Sequence, residues 1–255
     1  MNATMSDALS HPPRTLAVLI DADNASSKVI APVLAEIATL GTASVRRIYG
    51  DWTVSNLSSW KPLLPEYSIQ PIQQFANTKG KNATDSAMII DAMDLLYTDR
   101  FSGFCLVTSD SDFTRLAARI REQGLTVYGF GEKKTPRPFV AACDRFFYTE
   151  VLGAPPEADS EGAAQAIKKM SGGELRKDRK LVNAIRKSID AVTGDEEEWA
   201  ALGNVGSSLS KLMPEFDSRN YGFARLSDLI REIGLFEVRK TEKQHVQIRP
   251  LPKKG

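Results

Sequence analysis

The chain has 255 residues, 42% of them hydrophobic and 25% charged, with a formal net charge of +1; this is enough length for a sizeable core and one to two domains. The near-neutral balance excludes a globally polycationic nucleic-acid binder, and no window approaches the apolar length of a membrane span. Only two histidines, His11 and His245, are present, one near each end, which argues against His-based catalysis and a His-rich metal site.

Residues 1–14 have no apolar core of secretory length and read as a disordered N-terminus. Leu16-Ala17-Val18-Leu19-Ile20 is a wholly apolar run that ends at Asp21-Ala22-Asp23-Asn24. Val29, Ile30, Val33, Leu34, Ile37 and Leu40 then recur at helical spacing until Gly41. Val45 to Tyr49 predicts a second strand, followed by a polar helix carrying Trp60, and Tyr67 to Phe75 a third strand. A polar, basic loop with Lys79 and Lys81 leads into a helix over Thr84 to Tyr97, opened by Asp85. Phe104, Leu106 and Val107 form another buried strand, which hands over at Thr108-Ser109-Asp110-Ser111-Asp112 to a helix bearing Leu116, Ala117 and Ile120. Leu125 to Phe130, a short helix at Pro136 to Ala142, and a last strand at Arg145 to Tyr148 complete the series.

Strands alternating with helices predict an α/β fold, a three-layer α/β/α domain with a mostly parallel sheet. Right-handed crossovers bring the carboxyl ends of its strands to one edge, where Asp21 and Asp110 both fall and toward which Asp85 can point. Acids gathered there repel one another by about 4 kcal/mol per pair at 4 Å, even at an effective dielectric near 20, unless a divalent cation sits among them. With oxygen as the available ligand type, Mg²⁺ or Mn²⁺ is the expected cofactor. Asp21, Asp85, Asp110 and Asp112 are therefore the candidate catalytic and metal-binding residues. Asn24, Ser109, Lys79 and Lys81 are candidate substrate contacts. Asp91 reads instead as a structural hydrogen-bond partner, and Cys105 and Cys143 as packed core residues in a reducing, cytoplasmic setting.

Residues 153–172 carry paired prolines and acids and few large apolar side chains, the composition of a linker. From Ile167 onward there are 18 Lys/Arg against 13 Asp/Glu, a surplus that favours a polyanion. The remaining segment, 173–250, predicts three or four helices followed by a two-stranded hairpin, the order of a small winged-helix domain.

Three blocks together resemble the signature of the NYN domain, a branch of the PIN-like ribonuclease superfamily. They are Leu19-Ile20-Asp21-Ala22-Asp23-Asn24, the stretch from Lys79 to Asp85 with Asp91-Ala92-Met93, and Val107 to Phe113. The likeness spans residues 15–152 and implies a PIN-like fold, a Mg²⁺- or Mn²⁺-dependent ribonuclease site built on the four aspartates, and a positioning role for Asn24. Two departures are Thr108, where the family often has Ser, and the inserted Asn82-Ala83-Thr84 before Asp85. Leu209 to Leu212 and Pro214 to Ile230, with Tyr221-Gly222 ahead of the Leu226/Leu229/Ile230 stripe, resemble the OST-HTH or LOTUS winged helix. That resemblance implies RNA or protein partners, with Lys211, Arg219 and Arg225 as candidate contacts. The leading expectation is a metal-dependent ribonuclease with no membrane association and an open oligomeric state, homodimer included. The rivals are a non-catalytic RNA-binding adaptor and a phosphotransferase of the haloacid dehalogenase type with Asp21 as nucleophile.

Overall fold

Two apolar strands lie at the centre of the sheet, with every residue but Thr15 buried. β1 (Thr15–Asp21) and β4 (Gly103–Val107) pair in parallel, with Ile20 opposite Val107. The computed structural model of the chain describes residues 14–75, 83–153, 168–194, 198–241 and 244–251. The expectations for residues 1–13, for Lys79 and Lys81, and for most of the 153–172 linker lie outside the described residues.

Around this pair are α1 (Ile30–Leu40), β2 (Thr42–Gly50), α2 (Leu63–Glu66), β3 (Gln70–Gln73), α3 (Ala83–Leu96), α4 (Thr114–Glu122), β5 (Thr126–Gly131), α5 (Arg137–Ala142) and β6 (Arg145–Tyr148). The six strands run parallel in the order β3-β2-β1-β4-β5-β6. Strand order therefore reverses between β1 and β4, and at such a switch point the connections leave toward opposite faces and open a crevice at the carboxyl ends. The two cores show that division. Leu16, Val18 and Ile20 pack against Ile30, Val33 and Ile37 of α1, whereas Ala17 and Leu19 pack with Met88 and Ala92 of α3 and Leu116 and Ile120 of α4. By the period of two along β1, Asp21 falls on the α3/α4 face, at the crevice.

Local departures from the expected elements have local causes. The polar helix expected around Trp60 is a 3₁₀ segment, Ser55–Trp60, followed by the single turn α2. Pro62 and Pro65 supply no backbone N–H there, which restricts helix growth, while Leu57 and Trp60 still bury themselves. β2 begins at Thr42, directly after Gly41, whose missing Cβ would stand 2.4 Å from the Arg14 carbonyl oxygen. Asp91 is a structural partner. On the inner side of α3 it accepts hydrogen bonds from the Arg47 guanidinium and from the hydroxyl of fully buried Tyr49. Asp91→Ala strips both donors of their acceptor and is expected to cost about 1–3 kcal/mol in a denaturant titration, whereas Asp94→Ala, on the exposed side of α3, should change little.

The second unit has its own core. It comprises α6 (Gly172–Lys177), α7 (Arg179–Val192), β7 (Ala200–Ala201), α8 (Leu202–Leu212), α9 (Leu226–Ile233), β8 (Phe236–Lys240) and β9 (Val246–Pro250), with an antiparallel sheet β7-β9-β8. The apolar stripe Leu175, Leu181, Val182, Ile185 and Ile189 at the start of this unit is divided between two helices. Asp178 stands between them, and its carboxylate accepts the Leu181 amide at 3.0 Å as the N-cap of α7. Gly234 at φ 68° ends α9 in the left-handed conformation that glycine tolerates best. Main-chain and ionic contacts join the units. The Phe146 amide of edge strand β6 donates to the Pro214 carbonyl at 2.7 Å, and Glu215 receives both Arg137 and Lys180. Among the described residues no helix is long and apolar enough to cross a membrane.

Candidate metal centre

Asp21 sits at the last position of β1 with no exposed surface. Its Oδ1 accepts the Asp23 amide at 3.0 Å, and its Oδ2 accepts the Asn24 side-chain amide at 2.8 Å and the Thr108 hydroxyl at 2.9 Å. Burial drives its pKa upward and these bonds draw it back in part, with a net rise. The Thr108 oxygen also accepts the Asp110 amide at 3.1 Å, so one hydroxyl ties the end of β1 to the turn after β4. Asp110 is the N-cap of the 3₁₀ turn Ser111–Phe113 that precedes α4. Its Oδ1 accepts the Asp112 amide at 2.9 Å, which aims the turn outward.

Asp85 enters from the first turn of α3. One carboxylate oxygen from each of Asp85, Asp110 and Asp112 lies within 4.8 Å of the other two. Burial, then the negative charges of Asp21, Asp110, Asp112 and Asp23, push the Asp85 pKa up to about 6. Like charges are held together here by the fold, a cost that a divalent cation would reverse. Neither cysteine nor histidine belongs to the group. Three hard oxygen donors fit Mg²⁺ or Mn²⁺, which take carboxylates and keep part of their water.

The sequence placed Asp21, Asp85, Asp110 and Asp112 together as candidate metal ligands. The group that converges is Asp85, Asp110 and Asp112, with Asp21 buried and hydrogen-bonded at the end of β1. Asp21, the nucleophile of the phosphotransferase reading, is fully buried with both carboxylate oxygens hydrogen-bonded.

The remaining expected contacts have varied settings. Asn24 is exposed and turned onto Asp21. Ser109 accepts the Glu132 amide at 2.9 Å, pinning the exit of β5 to the acidic turn. A cavity of about 230 Å³ lies beside the acids, bounded by Asn24, Thr108, Ser109, Phe130 and Glu150 among others. Lys211 and Arg225 are exposed on the second unit. Arg219 is placed differently from the open face that a nucleic-acid contact needs. Its guanidinium bonds Asp217 at 2.6 Å and, across the junction, Glu36 at 2.9 Å, so it clamps the two units together. The Thr108 hydroxyl was not singled out from the sequence as a site residue. A hydroxyl one residue beyond an apolar strand is the signal that could have found it.

A family model of the NYN domain matches residues 15–152, and one of the OST-HTH/LOTUS domain matches residues 176–247. No curated protein matches the chain significantly. Among solved structures, a protein of unknown function from Vibrio parahaemolyticus, VPA0982, is similar with 17% identity and a TM-score of 0.44, over 52% of this chain and 91% of that one. Acinetobacter baumannii MurG is similar with 10% identity and a TM-score of 0.36, over 80% of this chain and 65% of that one. The two domain matches support an RNA nuclease or RNA-binding role. The chain belongs to the NYN domain family and joins its NYN domain to an OST-HTH/LOTUS domain.

Proposed function

We propose that the chain is a metal-dependent endoribonuclease whose phosphodiester chemistry takes place at Asp85, Asp110 and Asp112. The observation that carries this reading is the approach of their three carboxylates to within 4.8 Å of one another at the switch point of a parallel sheet. Those three residues would hold Mg²⁺ or Mn²⁺, and the ion when bound supplies positive charge against which a phosphate oxygen and an attacking water are activated. Asp21 holds the geometry. Through Thr108 it fixes the turn that carries Asp110 and Asp112, and through Asn24 it orders the rim of the crevice. Ser109 keeps the β5 exit loop against the same turn, so the crevice wall does not drift from the acids.

The test is cleavage of end-labelled single-stranded RNA and DNA by the purified chain in Mn²⁺, in Mg²⁺ or in chelator. Internal cuts in RNA that need the divalent ion and stop in chelator are expected. Tight RNA binding with no turnover in either ion would give the chain to the rival reading, a non-catalytic RNA-binding adaptor.

A further inference from the structure

A cleft of about 810 Å³ opens between the two units. One wall is made by Arg14, ahead of β1, with Thr126 and Arg145 at the starts of β5 and β6; the other is made by α8 and residues 214–218. In a parallel sheet the strand starts and the strand ends lie on opposite edges. Seven residues of β1 at about 3.3 Å each separate Arg14 from Asp21 by roughly 23 Å. The cleft is therefore remote from the acidic cluster.

Its charges do not cancel locally. Asp144 is matched by Arg121, Nε to Oδ1 at 3.0 Å, and it also accepts the Val127 amide. Asp217 is matched by Arg219, which reaches it from behind the cleft wall. That leaves Arg14, Arg145 and Lys211. Arg14 donates to the neutral Tyr128 hydroxyl at 3.2 Å, the Arg145 guanidinium lies 4.6 Å from the Phe147 ring centre, and none of the three has an ion pair among the described residues. These cations come from segments more than sixty residues apart; the parallel sheet puts Arg14 and Arg145 on one edge, and the docking of the second unit adds Lys211 to the same groove. Between them the α8 wall is made of small residues, and a Cβ at Gly203 would meet nothing within 4 Å. Cations contributed by three separate segments to one groove of about 810 Å³ match the repeated charge of a phosphodiester chain better than a single small anion, which needs donors converging on one point.

We propose that this cleft between the NYN and OST-HTH/LOTUS domains is an RNA-backbone site, with Arg14, Arg145 and Lys211 as phosphate contacts holding a single-stranded segment away from the acidic cluster. The strand has to turn round a domain edge to reach the acids from here. A duplex is too stiff for that, the DNA form having a persistence length of about 50 nm. The identity of the polymer rests on the RNA reading given above; the site itself does not depend on catalysis.

The full chain in chelator, where no hydrolysis occurs, is titrated into a fluorescent single-stranded RNA of about 16 nucleotides over a series of salt concentrations. The double variant Arg145→Glu/Lys211→Glu is expected to bind about tenfold more weakly, with the salt slope reduced by about 1.4, that is about 0.7 for each lost phosphate contact on a single strand. Arg145→Gln/Lys211→Gln should lose affinity in the same direction by less. Arg186→Glu/Lys187→Glu, an equal change of charge on the exposed side of α7, should stay within about twofold. Unchanged affinity and slope in both cleft variants, an equal loss in the α7 variant, or no RNA binding by the unaltered chain would each overturn the site. Because binding is read without turnover, a chain that binds through the cleft but never cuts RNA upholds this site and removes only the nuclease reading.

Discussion

Asp110→Asn is expected to lower divalent-ion-dependent RNA cleavage by on the order of 10²–10³, the scale on which one electrostatic group at a reacting centre acts, while leaving the fold intact. Two roles meet at this residue and the substitution separates them. As N-cap of the turn before α4, Asp110 accepts the Asp112 amide, and asparagine caps about as well as aspartate. As one of three converging carboxylates, it supplies charge that asparagine cannot. The metal-free variant should be no less stable than the parent, because a neutral side chain at position 110 removes one of the repulsions acting on Asp85. Cleavage rate and thermal midpoint measured side by side therefore decide the matter. A variant that cuts RNA as fast as the parent removes Asp110 from the chemistry, and one that unfolds shows that the cap was its main work.

Thermal stability should rise with Mn²⁺ at pH 7 and respond much less at pH 5. Asp85 has its folded-state pKa raised to about 6 from the ordinary value of 3.8, so its ionised form opposes folding. That penalty is present above pH 6 and gone below about pH 4. The metal-free chain accordingly gains stability from this group as pH falls, by about 1–2 kcal/mol once its partial exposure is allowed for. A bound divalent ion acts in the opposite sense, because it needs the carboxylate ionised. At a Mn²⁺ concentration of about 100 times the dissociation constant the stabilisation at pH 7 is about 2.7 kcal/mol. With affinity falling about tenfold per pH unit below 6, the same concentration gives about 1.4 kcal/mol at pH 5. Scanning calorimetry with Mn²⁺ and with chelator at both values measures the difference. An equal shift at the two pH values, or none at either, places the ion somewhere other than this cluster.

Asp85→Asn sharpens the same measurement. It removes the titrating group, so the stability of the metal-free chain should lose its dependence on pH between 4 and 7 from this source, and the response to Mn²⁺ should shrink at both values. Asp91, on the same helix but turned toward Arg47 and Tyr49, offers the natural contrast, because its loss should lower stability without touching the metal response.

Much of this protein is legible in its sequence. Continuous apolar runs at 16–20 and 104–107 announce strands buried on both faces, and strands that alternate with helical stripes leave a parallel sheet as the arrangement that covers them. The aspartates just beyond those runs were visible for the same reason, since a strand that ends in an acid puts that acid at the sheet edge. Short elements were less legible. Two residues, Ala200 and Ala201, become a strand only because β9 lies alongside them, and a six-residue 3₁₀ segment leaves too few turns for its period to be read. The split between α6 and α7 hides inside one apolar stripe, because Asp178 both ends the first helix and starts the second.

The sequence by itself determined the layers of the NYN domain, the helices of the winged domain, and the set of acids from which a site had to come, because local period and chain order settle which side chains go inward and which strand ends share an edge. Tertiary structure alone decided depth and partnership. Asp21 went fully out of solvent while Asp112 stayed exposed within the cluster, and Arg219 went to Glu36 while Arg145 and Lys211 line one open cleft. Such contacts form between residues up to 183 positions apart, and no periodicity in a linear chain encodes a distance across two packed units.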